Sequence, residues 1–406
     1  MADCRDTGII ALAPNDWHGQ WVNRQQLLSR LGHRWPIVYS TGAWTVWDRG
    51  TNEWRRAPVT GGFSRIDNVW VDDPPRWLLR WPRLGGWDKL AISVEAKRLR
   101  RKLAAVGARR RIAYLFHPLF LPYLAPLDTE HLIYHAYDLF DHQPNWNDAL
   151  EAAERELLKR ADLVLVPSEA LGEELRKKVD RPIHVLLNAA DVPAFLKAAG
   201  EPASEPADLV LIPRPRIGYM GSLHPQLDYS LLRTLAERRP HYHWVMVGPR
   251  LREKDLVANA DFRAFAGMAN VHILGSKSRD AIPSYTVNTD VNVMVYKSTE
   301  TSWTKVAYPL KLHEYLASGR PIVTMELPML RPLDNVIRFA QGADDWVAAL
   351  DEAIASGGTG TREARQAAAA GHSWDVRSSA LEAWLRDLVA DGAPAKTMQH
   401  VLYPGI

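Results

Sequence analysis

The chain has 406 residues, of which 47% are hydrophobic and 24% charged, and a formal net charge of only +3. That is ordinary for a soluble globular protein of roughly two to three domains with sizeable cores. A single cysteine, Cys4, excludes an intrachain disulfide and fits a reducing compartment, so a cytoplasmic location is expected.

The N-terminus carries acids and runs straight into a short apolar segment at 9–12, without a basic region and long apolar core, so no secretory leader is expected. The longest apolar stretch, 112–127, contains His117, Pro118, Pro122 and Pro126 and reads poorly as a spanning helix. In chain order, 9–13 reads as a strand and 14–20 as a polar loop. Residues 21–31 place Trp21, Leu27, Leu28 and Leu31 near helical spacing. Gly32 ends that helix and 36–39 resumes as a strand. Residues 111–116 and 132–137 read as buried strands, 149–160 as a helix and 161–167 as a strand. A helix at 168–177 starts on Ser168, a good N-cap, and 184–187 closes the set. Strands separated by helices imply βαβ units and a parallel sheet.

Residues 199–214 are rich in proline and small residues and read as a linker. The pattern then restarts. Strands are expected at 217–220, 243–247, 271–274, 291–295 and 321–325, with helices at 229–237, 309–318, 346–355 and 375–388. The tail after Ala390 lacks periodicity. The expected division is a first domain over 1–198, a linker over 199–214, a second domain over 215–372, and a terminal helix and tail over 373–406. Ligands of open α/β sheets sit beyond the carboxyl ends of strands, so those ends are where a site is expected.

The segment 307–323 carries the most information. Pro309 suits the first turn of a helix, and Gly319 with Pro321 stops it. Leu312, Tyr315 and Leu316 share one face; Lys311 and Glu314, three apart, share another. A helix N-terminus with a lysine in its first turn suits a diphosphate, and a glutamate one turn deeper suits ribose hydroxyls. The competing reading is a surface Lys–Glu pair.

Charge and tryptophan are uneven. The stretch 76–111, bounded by Arg76 and Arg111, holds twelve Lys/Arg and two acids, and ten of sixteen tryptophans lie in the first 87 residues. One reading is a solvated helix face. The other is peripheral contact with anionic lipid at the inner membrane face. No nucleic-acid-binding motif accompanies the charge, so nucleic acid is not expected as a partner.

The segments 308–323, 217–222, 185–191, 275–296 and 373–375 resemble those of GT-B glycosyltransferases of the bacterial surface-polysaccharide type. They are similar to teichuronic-acid and capsule enzymes and, more distantly, to the xanthan glucuronosyltransferase. The resemblance implies an α/β fold of two Rossmann-like domains facing a central cleft. The first domain would bind acceptor and the second a nucleotide sugar, with the last helix crossing back to the first. Carried over by motif, Lys311 contacts the donor diphosphate with Leu310 beside it, and Glu314 the ribose. Tyr296 lines the nucleotide pocket, Lys277 lies in the loop that grips the base, largely by backbone, and Gly221 and Ser222 let the chain approach the phosphates. Many retaining members carry a second glutamate eight positions before Glu314, where this chain has Val306. That departure makes inversion through a general base the alternative to retention.

A base must take the acceptor's proton in an inverting transfer. Asp138, after the strand at 132–137, stands at a strand end and matches the catalytic aspartate of the xanthan enzyme; Asp141 is the nearby alternative. His117 matches a histidine that contacts donor sugar in related retaining enzymes. Asn15, Asp16 and His18 occupy the first strand–helix loop and are candidate acceptor contacts. That loop lacks a dinucleotide fingerprint. The expected function is sugar transfer from a nucleotide diphosphate sugar, UDP favoured, to a lipid-linked or other carbohydrate hydroxyl, without a metal. The alternatives are an epimerase or hydrolase of the same fold, and a non-catalytic nucleotide- or carbohydrate-binding protein.

Overall fold

The computed structural model of the chain describes residues 6–143, 145–200, 205–297 and 302–391. Cys4 and the tail from 392 lie outside them. The chain forms two compact units: the described residues of Met1–Leu187 with Asp375–Ile406, and Asn188–Trp374.

The first unit is built on an eight-stranded sheet in the order β3-β4-β2-β1-β5-β6-β7-β8. The strands are β1 (Thr7–Leu12), β2 (Ile37–Ser40), β3 (Gly62–Ile66), β4 (Val69–Asp73), β5 (Arg110–Leu115), β6 (His131–His135), β7 (Leu163–Val166) and β8 (His184–Val185). Neighbours pair in parallel except β3 with β4. The central strands are continuous apolar runs because both faces are covered, as βαβ crossovers require. The β3–β4 hairpin was not among the expected elements. Its turn is Asp67-Asn68, both at positive φ (48° and 67°), the backbone a two-residue primed turn demands. The helices used below are α1 (Asn23–Leu31), α2 (Gly85–Ala105) and, from the end of the chain, Trp374–Asp391. The last buries Leu381, Trp384, Leu385 and Leu388 and is tied to α1 and the turn after it by Arg30–Asp375 and Arg34–Glu382.

The second unit carries a six-stranded, all-parallel sheet, β11-β10-β9-β12-β13-β14. These are β9 (Arg216–Met220), β10 (His243–Val247), β11 (Val271–Gly275), β12 (Val291–Met294), β13 (Ile322–Thr324) and β14 (Arg338–Phe339). The chain divides at 187/188, ahead of the expected 198. Residues 188–200 pack inside the second unit: Asn188 Nδ2 donates to the Tyr308 carbonyl at 2.7 Å. Val192 and Phe195 of α3 (Val192–Gly200) are buried where that helix packs on α4 (Lys311–Ser318). The described part of the expected linker is likewise anchored to the second sheet. Glu205 pairs with Arg214 and Arg216, and Asp290 with Arg214, while 207–210 forms a helical turn.

Candidate functional site

In the second unit the loops after β9, β10 and β12 meet the start of α4. Gly221, after β9, has φ +153°. A Cβ there would stand 2.9 Å from Lys311 Cε. Gly248, after β10, has φ +147°, and a Cβ there would lie 2.1 Å from the Gly221 carbonyl oxygen. Only glycine lets these two turns nest so closely. The nesting brings backbone against the lysine.

Lys311 sits at the first position of α4, whose first turn no side chain caps. Its Nζ donates to Tyr296 Oη at 2.8 Å and lies 3.3 Å from Tyr219 Oη. The ammonium also lies 4.7 Å from the Tyr219 ring centre. Among the described residues no carboxylate comes within ion-pair distance of it. Burial works against the charge, and the two tyrosine oxygens outweigh it, so the pKa is raised. Tyr315, one turn on, accepts the Met220 amide at 2.8 Å and fastens α4 to β9. Tyr296 is held by a bridge to Leu227 and also lines a cavity of about 600 Å³ with Asp228, Lys305, Glu326 and Trp346.

Gly221, Tyr296 and Lys311 are therefore in mutual contact through Lys311, and Ser222 adjoins them, its carbonyl accepting from Tyr219 Oη at 3.0 Å. Leu310 directly precedes α4 with helical dihedrals. Glu314 is half-buried one turn in. Burial pushes its carboxyl up to about 7; Lys311 opposes the shift and Asp191 adds to it. Lys277 is placed differently. Its side chain pairs with Asp208 at 2.6 Å, and the backbone of its loop meets the turn after β10, where Gly248 N–H donates to Gly275 O at 2.9 Å. Val306 is buried.

Two neighbours were not anticipated. Tyr219 is a strand residue whose hydroxyl reaches past the strand end. His224 stacks beside Tyr296 at 6.2 Å, and burial and the Lys311 charge hold it down at about 4. Its Nδ1 accepts the Gln226 amide at 3.3 Å, which leaves the ring proton on Nε2.

Glu314 gives a pH test. The folded carboxyl holds its proton more tightly than the unfolded one, so between pH 4.5 and about 7 the folded state binds more protons. Its stabilising contribution is complete at the acid end and lost as pH rises through about 7. The drop in melting temperature over this window is expected to be shallower in Glu314→Gln. Superimposable wild-type and variant curves would contradict the shift.

In the first unit, Asp138 follows β6, half-buried, with Oδ1 accepting the Leu139 amide at 2.9 Å. His117 follows β5. Its Nδ1 accepts the Leu119 amide at 3.1 Å, so its proton sits on Nε2. Burial and then Arg24 pull it down to about 4, which makes it a neutral donor at physiological pH. Phe140 lies 4.6 Å from the His117 ring and 5.0 Å from Tyr137, joining the His117 turn to the Asp138 loop. Asp141 is exposed on the same loop. Asn15, Asp16 and His18 are exposed after β1, and Trp17 between them is buried against Tyr39. Tyr39 Oη donates to the Asn15 carbonyl at 2.5 Å, fixing the loop.

Arg24, in the first turn of α1, was also not anticipated. It is 3% exposed, lies 4.3 Å from the Tyr137 ring, and its Nε and Nη1 have no acceptor among the described residues. Arg24, Leu27, Leu28 and Leu31 follow the spacing of one helix face, so its burial was readable.

Residues 214–356 match the family described as "Glycosyl transferases group 1". Over 234 residues the chain is 26% identical to the putative teichuronic acid biosynthesis glycosyltransferase TuaH of Bacillus subtilis. That match spans 56% of this chain and 57% of the relative's length. Among solved structures, Anabaena HepE in complex with UDP and glucose superposes with a TM-score of 0.67 at 16% identity, over 94% of this chain and 99% of that one. An E. coli trehalose-6-phosphate structure bound with UDP-2-fluoro glucose gives 0.65 at 13% identity, over 95% and 100%. A glycosyltransferase from Rickettsia africae gives 0.67 at 12%, over 95% and 99%. The two sheets, parallel but for the β3–β4 pair, are those of the GT-B fold.

Proposed function

Since residues 214–356 form a group 1 glycosyl transferase domain on a GT-B fold, we infer that the protein is a glycosyltransferase taking its sugar from a nucleoside diphosphate donor. One observation carries this. The Lys311 ammonium is held by two phenol oxygens and no carboxylate, against glycine backbone, at an uncapped helix start. A cation so placed is poised for an anion. Lys311 and the N–H groups of α4 would hold the diphosphate, with Gly221 and Ser222 as close backbone and Leu310 beside them. Glu314 would accept from the ribose hydroxyls. Tyr296 would wall the pocket, and the backbone around Lys277 would meet the base. The complexes of HepE and of the E. coli enzyme favour UDP as the nucleotide.

In this reading the acceptor hydroxyl loses its proton to Asp138 as its oxygen attacks the anomeric carbon. The bond from that carbon to the diphosphate oxygen breaks, and the nucleoside diphosphate leaves bearing the electron pair. Anomeric configuration inverts. The apolar Val306, where retaining relatives place a glutamate, supports inversion. His117, neutral with its proton on Nε2, donates to a sugar oxygen, and Asn15, Asp16 and His18 contact acceptor. The charge on the leaving group is met by Lys311 and the helix dipole, and the reaction runs without a metal.

The acceptor we propose is a carbohydrate, lipid-linked as befits a relative named for teichuronic acid biosynthesis. The protein then works in the cytoplasm against the inner membrane face, touching it through cations of the 76–111 stretch. Among the described residues no helix is long and apolar enough to cross a membrane.

The test is to supply radiolabelled UDP-, GDP- and dTDP-sugars with and without acceptor glycan, in EDTA. Label moving to acceptor, only when acceptor is present, is the expected result. Free or isomerised sugar without acceptor would mean a hydrolase or epimerase. Binding without turnover would mean a non-catalytic protein. Activity lost in EDTA and restored by Mg²⁺ would overturn the metal-free step.

A further inference from the structure

The basic stretch from Arg76 to Arg111 does not present all its charge to solvent. Arg80 pairs with Asp88, Arg98 with Asp72 and Glu95, Lys102 with Asp72, Arg100 and Arg111 with Asp128, and Arg110 with Glu130. What the same region does expose is apolar. Trp47 is 56% exposed, Trp77 60%, Trp81 44%, Leu84 50%, Trp87 50% and Leu90 55%. Single exposed apolar residues are ordinary; so many large ones on neighbouring segments mark a docking surface.

The segments that carry these residues are fastened to one another. The segment at 44–46 is bridged to Arg80 through Arg80 N–H to Trp44 O at 2.7 Å and Val46 N–H to Arg80 O at 2.9 Å. The Leu84 amide donates to Trp81 O at 2.8 Å, and Trp87 Nε1 donates to Leu79 O at 2.8 Å. Arg83 lies 6.0 Å from the Trp47 ring. Ala43, Leu78 and Ala91 pack together as a buried cluster in the same segments. The Arg80–Asp88 pair, largely buried at 2.9 Å, locks the loop to α2. The exposed rings therefore stand on a fixed platform.

α2 shows which surface this face fits. Ala91, Ile92, Glu95, Ala96, Leu99 and Leu103 are buried on one side. On the other, Trp87, Leu90 and Val94 form an exposed stripe that continues, at the same spacing, as Lys97 and Arg101. Arg83, Lys89, Lys97 and Arg101 are exposed, and among the described residues no carboxylate pairs with them. An apolar, tryptophan-rich crown with unpaired cations along its side is complementary to a headgroup layer. Indole rings settle at the boundary, leucine dips below it, and cations meet anionic phosphates.

We propose that the face carrying Trp47, Trp77, Trp81, Leu84, Trp87 and Leu90 is an interfacial anchor that seats the first unit in an anionic bilayer, with Arg83, Lys89, Lys97 and Arg101 reading the lipid charge. This deepens the membrane contact proposed above, and it is tested without donor or acceptor, so it stands or falls apart from the transferase reading.

Full-length protein is mixed with vesicles of phosphatidylcholine alone or with 30 mol% (roughly a cytoplasmic leaflet's charge,) phosphatidylglycerol. Expected are co-flotation with the anionic vesicles, weaker binding to the neutral ones, and a blue shift of tryptophan emission. The triple variant Trp77→Ser, Trp81→Ser, Leu84→Ser keeps every cation and every bond of the platform, and it is expected to lose about tenfold or more in partitioning. Lys97→Glu with Arg101→Glu is expected to remove the preference for anionic lipid. Full binding by the triple variant, or no binding by wild type, overturns the anchor. A dimer of wild type in sedimentation that the triple variant abolishes, with no vesicle binding, would assign the face to self-association instead.

Discussion

Replacing Asp138 with asparagine is expected to lower turnover by about two to four orders of magnitude, the usual worth of a positioned general base. The substitution keeps the shape and the Oδ1 acceptor for the Leu139 amide, so the loop geometry survives. What is removed is the basicity of the carboxylate. Nucleotide affinity is expected to stay near wild type, because Gly221, Tyr296 and Lys311, the residues proposed to hold the donor, all belong to the second unit. His117 cannot substitute as base: its Nδ1 is occupied by the Leu119 amide, and its Nε2 carries the proton. Asp141→Asn is the control and is expected to retain most activity. Single-turnover transfer and equilibrium nucleotide binding on the same preparations separate chemistry from affinity. Retention of most of the rate by Asp138→Asn, or collapse in Asp141→Asn instead, removes Asp138 from the base role.

The parallel strands of both units were legible because strands covered on both faces must be apolar throughout, and runs such as Ile9–Ile10–Ala11–Leu12 announce themselves. The β3–β4 hairpin was missed although its turn, Asp67-Asn68, is a residue pair that tolerates positive φ. Gly62–Ile66 is an edge strand with only half-buried or exposed positions, so it carries no apolar run. α2, read only as a helix face somewhere in 76–111, had no legible bounds for a different reason. Trp87, Leu90 and Val94 lie opposite its buried face, and apolar residues on both sides erase the period that identifies a helix.

At the site, legibility followed sequence distance. Lys311 and Glu314 lie on one short helix, and their relation is set by local geometry. Tyr219 meets Lys311, and His224 stacks beside Tyr296, because the tertiary fold brings β9 and its following loop to α4, a relation no local pattern encodes. Lys277 shows the converse. A loop position carried over from similar enzymes says where the backbone runs, but the side chain follows Asp208, a partner within what reads as linker.

Lys311→Ala is expected to weaken binding of the nucleoside diphosphate by roughly ten- to a hundredfold, the equivalent of about 1.5–3 kcal/mol for a hydrogen bond to a charged group. Folding should not suffer in proportion. The lysine's partners are two hydroxyls rather than a carboxylate, so its loss strands no buried charge, and the desolvation of the ammonium is relieved. The melting temperature is therefore expected to hold while calorimetric affinity falls. Affinity for the nucleoside alone should change little, since it lacks the phosphates that Lys311 would meet. Lys311→Arg is not expected to rescue: Gly221 has no side chain because Lys311 Cε and Nζ already fill that space, and a guanidinium is broader than an ammonium. Unchanged affinity for the diphosphate in Lys311→Ala would refute its role. Equal losses for nucleoside and diphosphate would show that α4 had shifted, and that the contact is structural rather than electrostatic.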